Sequence, residues 1–242
     1  RTRRVGHAGT LDPFATGLLV TLCGSHTRLA GVFEGLDKSY EATVLLGVET
    51  DTHDPEGRVI GTCAVPDLER IQAVLDGFRG DIVQTPPAHS AVHVDGRRAY
   101  AIAREGGLPA LSPRRVRIHS LEITEWRPPR LGLAVRCSRG TYIRALARDL
   151  AAACGSCGHL LELRRTALGT IAVGEAVSPE GFDPARHLLT AAALFRRYGL
   201  LPVVGLEPAQ AEAVRRGRRI AAEGGPAGLV LCIDGEDRVV AL

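Results

Sequence analysis

The strongest constraint on the fold is a succession of short, period-two segments separated by turns. Tyr40 to Gly47 (YEATVLLG), Arg58 to Cys63, Arg117 to Trp126 and Leu131 to Cys137 read as strands, and Asp54-Pro55-Glu56-Gly57 reads as a turn between extended segments. Strands separated by hairpin-like turns favour antiparallel pairing over a parallel dinucleotide-binding sheet, and the glycine spacing lacks the dinucleotide fingerprint. Two helices accompany them. Asp67 to Phe78 places Leu68, Ile71, Val74, Leu75 and Phe78 on one side, and Thr141 to Cys154 does the same with Ile143, Leu146, Ala147 and Leu150. The expected class is α/β (α+β): a mixed, mainly antiparallel central sheet.

A chain of 242 residues, 45% hydrophobic, holds one large domain or one domain plus a small module. No apolar stretch has the length to cross a bilayer, and Arg1-Thr2-Arg3-Arg4 is followed by no apolar signal-peptide core. A cytoplasmic location is the expectation. The six cysteines are scattered, unlike a disulfide framework, and reduced thiols are expected. Cys154-x-x-Cys157 with His159 is half of a zinc motif; no second pair completes it, so no metal is expected.

Net charge is only +3, yet 29 of the basic residues are arginine against the single Lys38. Pro86 to Arg130 holds eight arginines against Asp95, Glu105, Glu122 and Glu125. Arginine forks suit phosphate, although a solvated arginine-rich surface has the same composition. Within this stretch, Pro86-Pro87 precedes a short helical segment around Tyr100 to Arg104 that Gly106-Gly107 stops, which suggests a mobile binding insertion. From Gly181 to Thr190 the apolar pattern loosens around Pro184. The expected organisation is a large domain over 1–185, with the insertion at about 85–117, and a small β-rich module over 198–242.

Four pieces of sequence carry chemistry. Gly6-His7-Ala8-Gly9-Thr10-Leu11-Asp12-Pro13 holds one carboxylate in a turn rich in glycine and closed by proline, so Asp12 is oriented; its bland alternative is a helix N-cap. Lys38-Ser39-Tyr40 opens a strand and offers an aromatic ring. In Cys137-Ser138-Arg139-Gly140-Thr141-Tyr142-Ile143-Arg144 a strand ends, Gly140 turns, and a helix starts at Thr141, placing Tyr142 and Arg144 in its first turns. There Arg144 has the chemistry to pair with a carboxylate. Last, Leu163-Arg164-Arg165-Thr166 offers an apolar wall and two candidate phosphate contacts.

In this order, GHAGTLDPFATGLL, DKSY, the TPPxxSAVxxxGxxAYxxAREG stretch, CSRGTYIRALARDL and LRRTALG, the chain closely resembles the bacterial tRNA pseudouridine-55 synthases (TruB-type) over nearly all of residues 3 to 177. The tail resembles, more loosely, the PUA domain that many members carry. The resemblance implies Asp12 as the catalytic aspartate, His7 as the group that fills the place of the extruded uridine, Tyr40 as the ring stacked on the flipped base and Tyr142 as a second tyrosine of that pocket. It further implies that Arg144 pairs with Asp12, that Leu163 packs near the base, and that Arg97 and Arg98 of the insertion meet the RNA. Members carry an opening segment before the first motif, so residues upstream of Arg1 are expected.

Inside the insertion the pattern changes. His89 replaces the usual tyrosine before Ser-Ala and His93 the usual lysine after it, giving up a fixed charge at position 93. What the resemblance implies is isomerisation of uridine 55 in the tRNA T-arm, with no cofactor, no membrane, no obligate protein partner and a monomeric enzyme. Asp12 attacks C1′, attacks C6, or assists a glycal-like intermediate; the residues leave all three open. The rival reading is a non-catalytic RNA-binding or tRNA-folding protein on the same scaffold. A glycoside hydrolase would need a second carboxylate, and Glu34, Asp37 and Asp149 sit in no supporting motif.

Overall fold

The structure, a computed structural model, describes residues 3–221 and 226–242. In chain order its strands are β1 (Val5–Ala8), β2 (Thr16–Gly17), β3 (Val20–Cys23), β4 (Lys38–Leu46), β5 (Val48–Thr50), β6 (Val59–Thr62), β7 (Gly80–Gln84), β8 (His93–Val94), β9 (Arg97–Arg98), β10 (Arg114–Arg127), β11 (Arg130–Cys137), β12 (Gly158–Leu168) and β13 (Ile171–Ala172), followed by β14 (Val203–Gly205), β15 (Leu231–Ile233) and β16 (Val239–Ala241). The helices are α1 (Ala30–Glu34), α2 (Leu68–Leu75), α3 (Ala99–Arg104), α4 (Ile143–Ala153), α5 (Pro184–His187), α6 (Ala191–Tyr198) and α7 (Pro208–Arg215).

The central sheet runs β13-β12-β4-β11-β10-β7, every neighbour antiparallel, and the two-residue β2 joins β12 in parallel. Mixed and mainly antiparallel is therefore the observed architecture. Strand alternation explains its packed face: in β4, Ala42, Val44 and Leu46 are buried, and in β11 Leu131, Leu133, Val135 and Cys137. Onto that face α4 lays Ile143, Leu146, Ala147 and Leu150, while α2 adds Ile71 and Leu75. Each buried leucine, isoleucine or valine among them contributes roughly 1.5–3 kcal/mol by leaving water.

Local signals set most element ends. Asp67 caps α2 by accepting from Arg70 N–H at 2.7 Å. Gly140, at φ +81°, makes the turn out of β11. α4 begins at Ile143, two residues later than expected, because Tyr142 is extended and serves as its N-cap residue. A buried side chain from β7 takes over there: Gln84 Oε1 accepts from Tyr142 N–H at 2.8 Å, and Gln84 Nε2 donates to Tyr142 O at 3.1 Å.

The chain divides into two compact units, Arg1–Gly174 and Glu175–Leu242. The division falls earlier than the expected boundary. Thr190 caps α6 by accepting from Ala193 N–H, and α6 sets a fully buried Phe195 beside β14 and β15, so residues 175–198 build the second unit. In that unit β14 and β15 pair in parallel and β15 and β16 antiparallel. Among the described residues no helix is long and apolar enough to cross a membrane.

The cysteine expectation needs correction. Cys63, just after β6, is bonded to Cys157, just before β12, while Cys23, Cys137, Cys154 and Cys232 are free. Both bonded residues flank Gly47, whose carbonyl accepts from Cys63 N–H and whose N–H donates to Cys157 O, so the backbone brings the two sulfurs together across 94 positions. Cys157 is thereby removed from the half-motif with Cys154, and His159 Nδ1 lies 2.8 Å from Val48 O.

Candidate active site

Asp12 lies in the irregular segment between β1 and β2, and no helix follows it, which removes the N-cap alternative. A turn holds it from behind, with Ala15 N–H donating to Asp12 O at 2.9 Å. Its carboxylate meets Arg144, the second residue of α4, through a two-pronged contact. Nε donates to Oδ2 at 3.0 Å and Nη2 to Oδ1 at 2.7 Å. Parallel charge-assisted bonds of this kind fix direction as well as distance.

The guanidinium is spent on every side. Nη1 donates to Thr52 O at 3.1 Å, Nη2 donates also to His89 O at 2.9 Å, and Asp54 Oδ2 stands 3.4 Å from Nη1. The side chain of Arg144 is 5% exposed and that of Asp54 8%, whereas that of Asp12 remains 24% open. One buried cation therefore carries two carboxylates, and only Asp12 faces outward. Pairing offsets the large cost of burying these charges. Asp54 is itself held, accepting from the Thr52 hydroxyl and from Glu56 N–H.

Asp54 is the residue that sequence reading passed over. It stood there as part of a turn, and it is one: the turn of the β5–β6 hairpin, folded so that residue 54 reaches residue 144. The cluster of acids and hydroxyls Thr50-Asp51-Thr52-His53-Asp54 was the available signal.

Around this pair the other expected residues divide. Tyr40 on β4 is half-buried; burial above all pushes its hydroxyl up to about 12, and both Arg165 and Asp12 lie within its electrostatic reach. Leu163 on β12 is buried in the core, and its carbonyl is 3.5 Å from the Thr16 hydroxyl. Tyr142 presents its ring to Arg114, whose Cζ sits 4.7 Å from the centroid while Nη2 donates to Gly140 O at 2.6 Å. His7 is exposed on β1, opposite Thr21 of β3. Arg164 is exposed on β12.

The two arginines of the insertion are exposed and locally paired: Arg97 with Glu105, Arg98 through Nη1 to Ala91 O. His93 is exposed on the same β8–β9 hairpin, and His89 reaches Arg144 through its backbone carbonyl, a contact indifferent to its side chain. A cavity of about 310 Å³ lies between this hairpin and Ala110 to Arg114. Arg165 departs from the expectation of a phosphate contact. It is 1% exposed, with Nε donating to Leu18 O at 2.7 Å and Nη2 to Gly9 O at 3.1 Å. Alternation along β12 explains the reversal, since Arg165 shares the inward face with Leu163. Among the described residues no His, Cys, Asp and Glu cluster is arranged to hold a metal.

Comparison with known proteins gives this geometry a family. The model described as "TruB family pseudouridylate synthase (N terminal domain)" matches residues 1–143. A protein of Mycobacteroides abscessus named tRNA pseudouridine synthase B is 42% identical over 248 residues, covering 100% of this chain and 83% of its own length. Its namesake in Mycobacterium sp. (strain KMS) is 45% identical over 232 residues, covering 92% of this chain and 77% of its own. Among solved structures, the "Cbf5-Nop10-Gar1 complex" contains a chain superposing with a TM-score of 0.64 at 23% identity, over 98% of this chain and 68% of that one, a likeness of fold. A family model over more than half of the sequence, and relatives this close over nearly all of it, place the chain in one lineage: it belongs to the TruB family of pseudouridylate synthases.

Proposed function

We propose that this protein converts uridine 55 in the T-arm of tRNA to pseudouridine, with Asp12 as the reacting carboxylate and Arg144 as the cation that aims it. The reaction is an isomerisation: the N1–C1′ bond breaks, a C5–C1′ bond forms, C5 loses a proton and N1 gains one. It is neutral in electrons and adds no water, so the chemistry calls for no metal or nicotinamide. The name borne by both mycobacterial relatives, tRNA pseudouridine synthase B, supports the substrate and the reaction.

The observation that carries the reading is the fork between Asp12 and Arg144 at 2.7 and 3.0 Å, with only the carboxylate open to solvent. A base inside an RNA stack cannot be reached by such a group, so the uridine must leave the stack at a cost of a few kcal/mol. Stacking on the ring of Tyr40 returns about 1–3 kcal/mol, Tyr142 and Leu163 complete the pocket, and His7 fills the vacated place. Tyr40 stays neutral throughout the physiological range, since burial holds its hydroxyl near 12. Arg97, Arg98 and Arg164, all exposed, are the phosphate contacts in this reading. Residues 198–242 act as a PUA-like RNA-binding module, and the enzyme works as a cytoplasmic monomer without a cofactor or obligate protein partner.

A T-arm stem-loop with one candidate uridine tests the reading directly. Conversion of that uridine to pseudouridine, detected by mass spectrometry after chemical labelling, is expected. Tight binding without conversion would leave an RNA-binding protein on a synthase scaffold.

A further inference from the structure

Arg165 and Lys38 form a second cationic centre, and it differs in kind from Arg144. Both are buried, and among the described residues neither is ion-paired to a carboxylate. Lys38 Nζ donates to Glu34 O at 2.7 Å and Leu36 O at 2.6 Å. Burial, and next the cation of Arg165, lower the Lys38 pKa. Two unpaired cations side by side inside a protein are costly unless the structure needs what they hold.

What Arg165 holds is the segment that carries Asp12. Its Nη2 takes the carbonyl of Gly9, before Asp12, and its Nε takes the carbonyl of Leu18, after it. The backbone of the same residue repeats the grip: Leu18 N–H donates to Arg165 O at 2.9 Å, and Arg165 pairs with Gly17 in the parallel β2–β12 ladder. Gly17 is fitted to it sterically, and Gly9, which a side chain would strain at its positive φ, lies in contact with it. Gly9, at φ +75°, would bring a Cβ to 3.4 Å from Nη1 of Arg165 and 3.8 Å from Cε of Lys38. Gly17, at φ +99°, would drive a Cβ into the Arg165 backbone. Besides the Ala15–Asp12 turn, the β2–β12 ladder and the Arg144 fork, this one side chain ties the Asp12 segment on both sides.

We infer that Arg165 is a positioning residue for the isomerisation: its guanidinium, tied to the carbonyls of Gly9 and Leu18, sets where the Asp12 carboxylate meets Arg144. This rests on Asp12 being the reacting group, and it removes Arg165 from the RNA contacts. A lysine preserves the charge but lacks the planar fork that reaches two carbonyls at once.

The test compares the wild type with Arg165→Met, Arg165→Lys and Gly9→Ala on a tRNA T-arm, measuring single-turnover rate, RNA affinity against salt, and melting temperature. The wild-type rate in the same assay tests the activity itself, so failure of the function and failure of this inference are separable. For Arg165→Met the rate is expected to fall about 100-fold, the effect of displacing a reacting group by about an ångström. RNA affinity stays within about threefold and the salt slope is unchanged, because no phosphate contact is lost. Arg165→Lys recovers part of the rate, and Gly9→Ala, disturbing the same grip from the loop side, shows the same rate-specific defect. Should Arg165→Met fail to fold, the lysine and glycine variants carry the decision. An affinity loss as large as the rate loss, with a shallower salt slope, makes Arg165 an RNA contact and overturns the inference. Full activity in folded variants overturns it as well.

Discussion

At the start of α4, Arg144 meets two carboxylates and two backbone carbonyls and keeps 5% of its side chain exposed. In the insertion, Arg97 has one carboxylate and Arg98 one carbonyl, and both stand largely in water. The same side chain is thus used in two regimes. At Arg144 the surroundings are fixed before any RNA arrives, so its bonds are not screened and its geometry cannot relax cheaply. At Arg97 and Arg98 the local contacts stand in water and are weak, so they exchange easily for phosphate. The lesson is a division of labour: the interior holds the reacting group in one position, and the surface supplies affinity that salt can tune.

The most severe way to break this comparison is to remove the group that the interior serves. Asp12→Asn keeps size and place but loses the carboxylate, and turnover is expected to fall by at least ~10⁴-fold, the scale for loss of a key catalytic group. Affinity for the T-arm should stay within a few-fold. Substantial remaining turnover would take Asp12 out of the reaction.

Arg144→Ala comes next. It leaves Asp12 and Asp54 facing each other without their cation, which costs about 3–5 kcal/mol of stability, and turnover should drop far more than binding. Asp54→Asn sharpens the point, since it retains the shape and the contact with the Thr52 hydroxyl but removes one charge 3.4 Å from Arg144. A rate loss of about 10- to 100-fold at unchanged RNA affinity is expected, consistent with slight misplacement of Arg144. Equal losses of rate and affinity in either variant would turn Arg144 into a phosphate contact and erase the contrast with the insertion.

On the surface the signature reverses. Arg97→Glu or Arg98→Glu should weaken association and reduce the slope of log affinity against log salt by about 1 for each lost phosphate contact, with the rate at saturating RNA preserved. An unchanged slope would mean that the β8–β9 hairpin does not meet the backbone of the RNA.

Much of this was legible in the sequence, and the reasons for the rest are physical. The four strands announced themselves because period-two burial is a local pattern, and each expected segment lies within three residues of the observed ends. The start of α4 was misplaced because its cap comes from Gln84, a residue distant in sequence. In the sequence Asp54 belongs to a turn, and a turn's direction in space is not written in the turn itself. The Cys63–Cys157 bond was hidden for a similar reason, since spacing does not reveal connectivity. Arg165 is different. Once Leu163 is assigned to the inward face of β12, alternation requires Arg165 to point inward too; the expectation of a phosphate contact overrode a signal already present.

The smallest effect lies at the rim of the Arg144 cluster. His53 sits between Thr52 and Asp54 with φ +58°, and its Nδ1 is buried with no hydrogen-bond partner among the described residues. Burial chiefly, then the cations of Arg148 and Arg144, lower its pKa from 6.5, while Glu49 and Asp149 work in the other direction. With the folded-state pKa depressed, the unfolded chain takes up the proton first as pH falls. The contribution of neutral His53 is therefore complete above about pH 6.5 and is lost on acidification through the folded-state pKa. Asparagine tolerates the same positive φ and does not titrate. Denaturant titrations of the wild type and His53→Asn from pH 7.5 to 5 should show a stability difference that shifts against the wild type on acidification. Its slope stays below ~1.4 kcal/mol per pH unit, the limit for one proton. A parallel pair of pH profiles would mean that residue 53 is solvated like the surface histidines, and that the interior regime ends at Asp54.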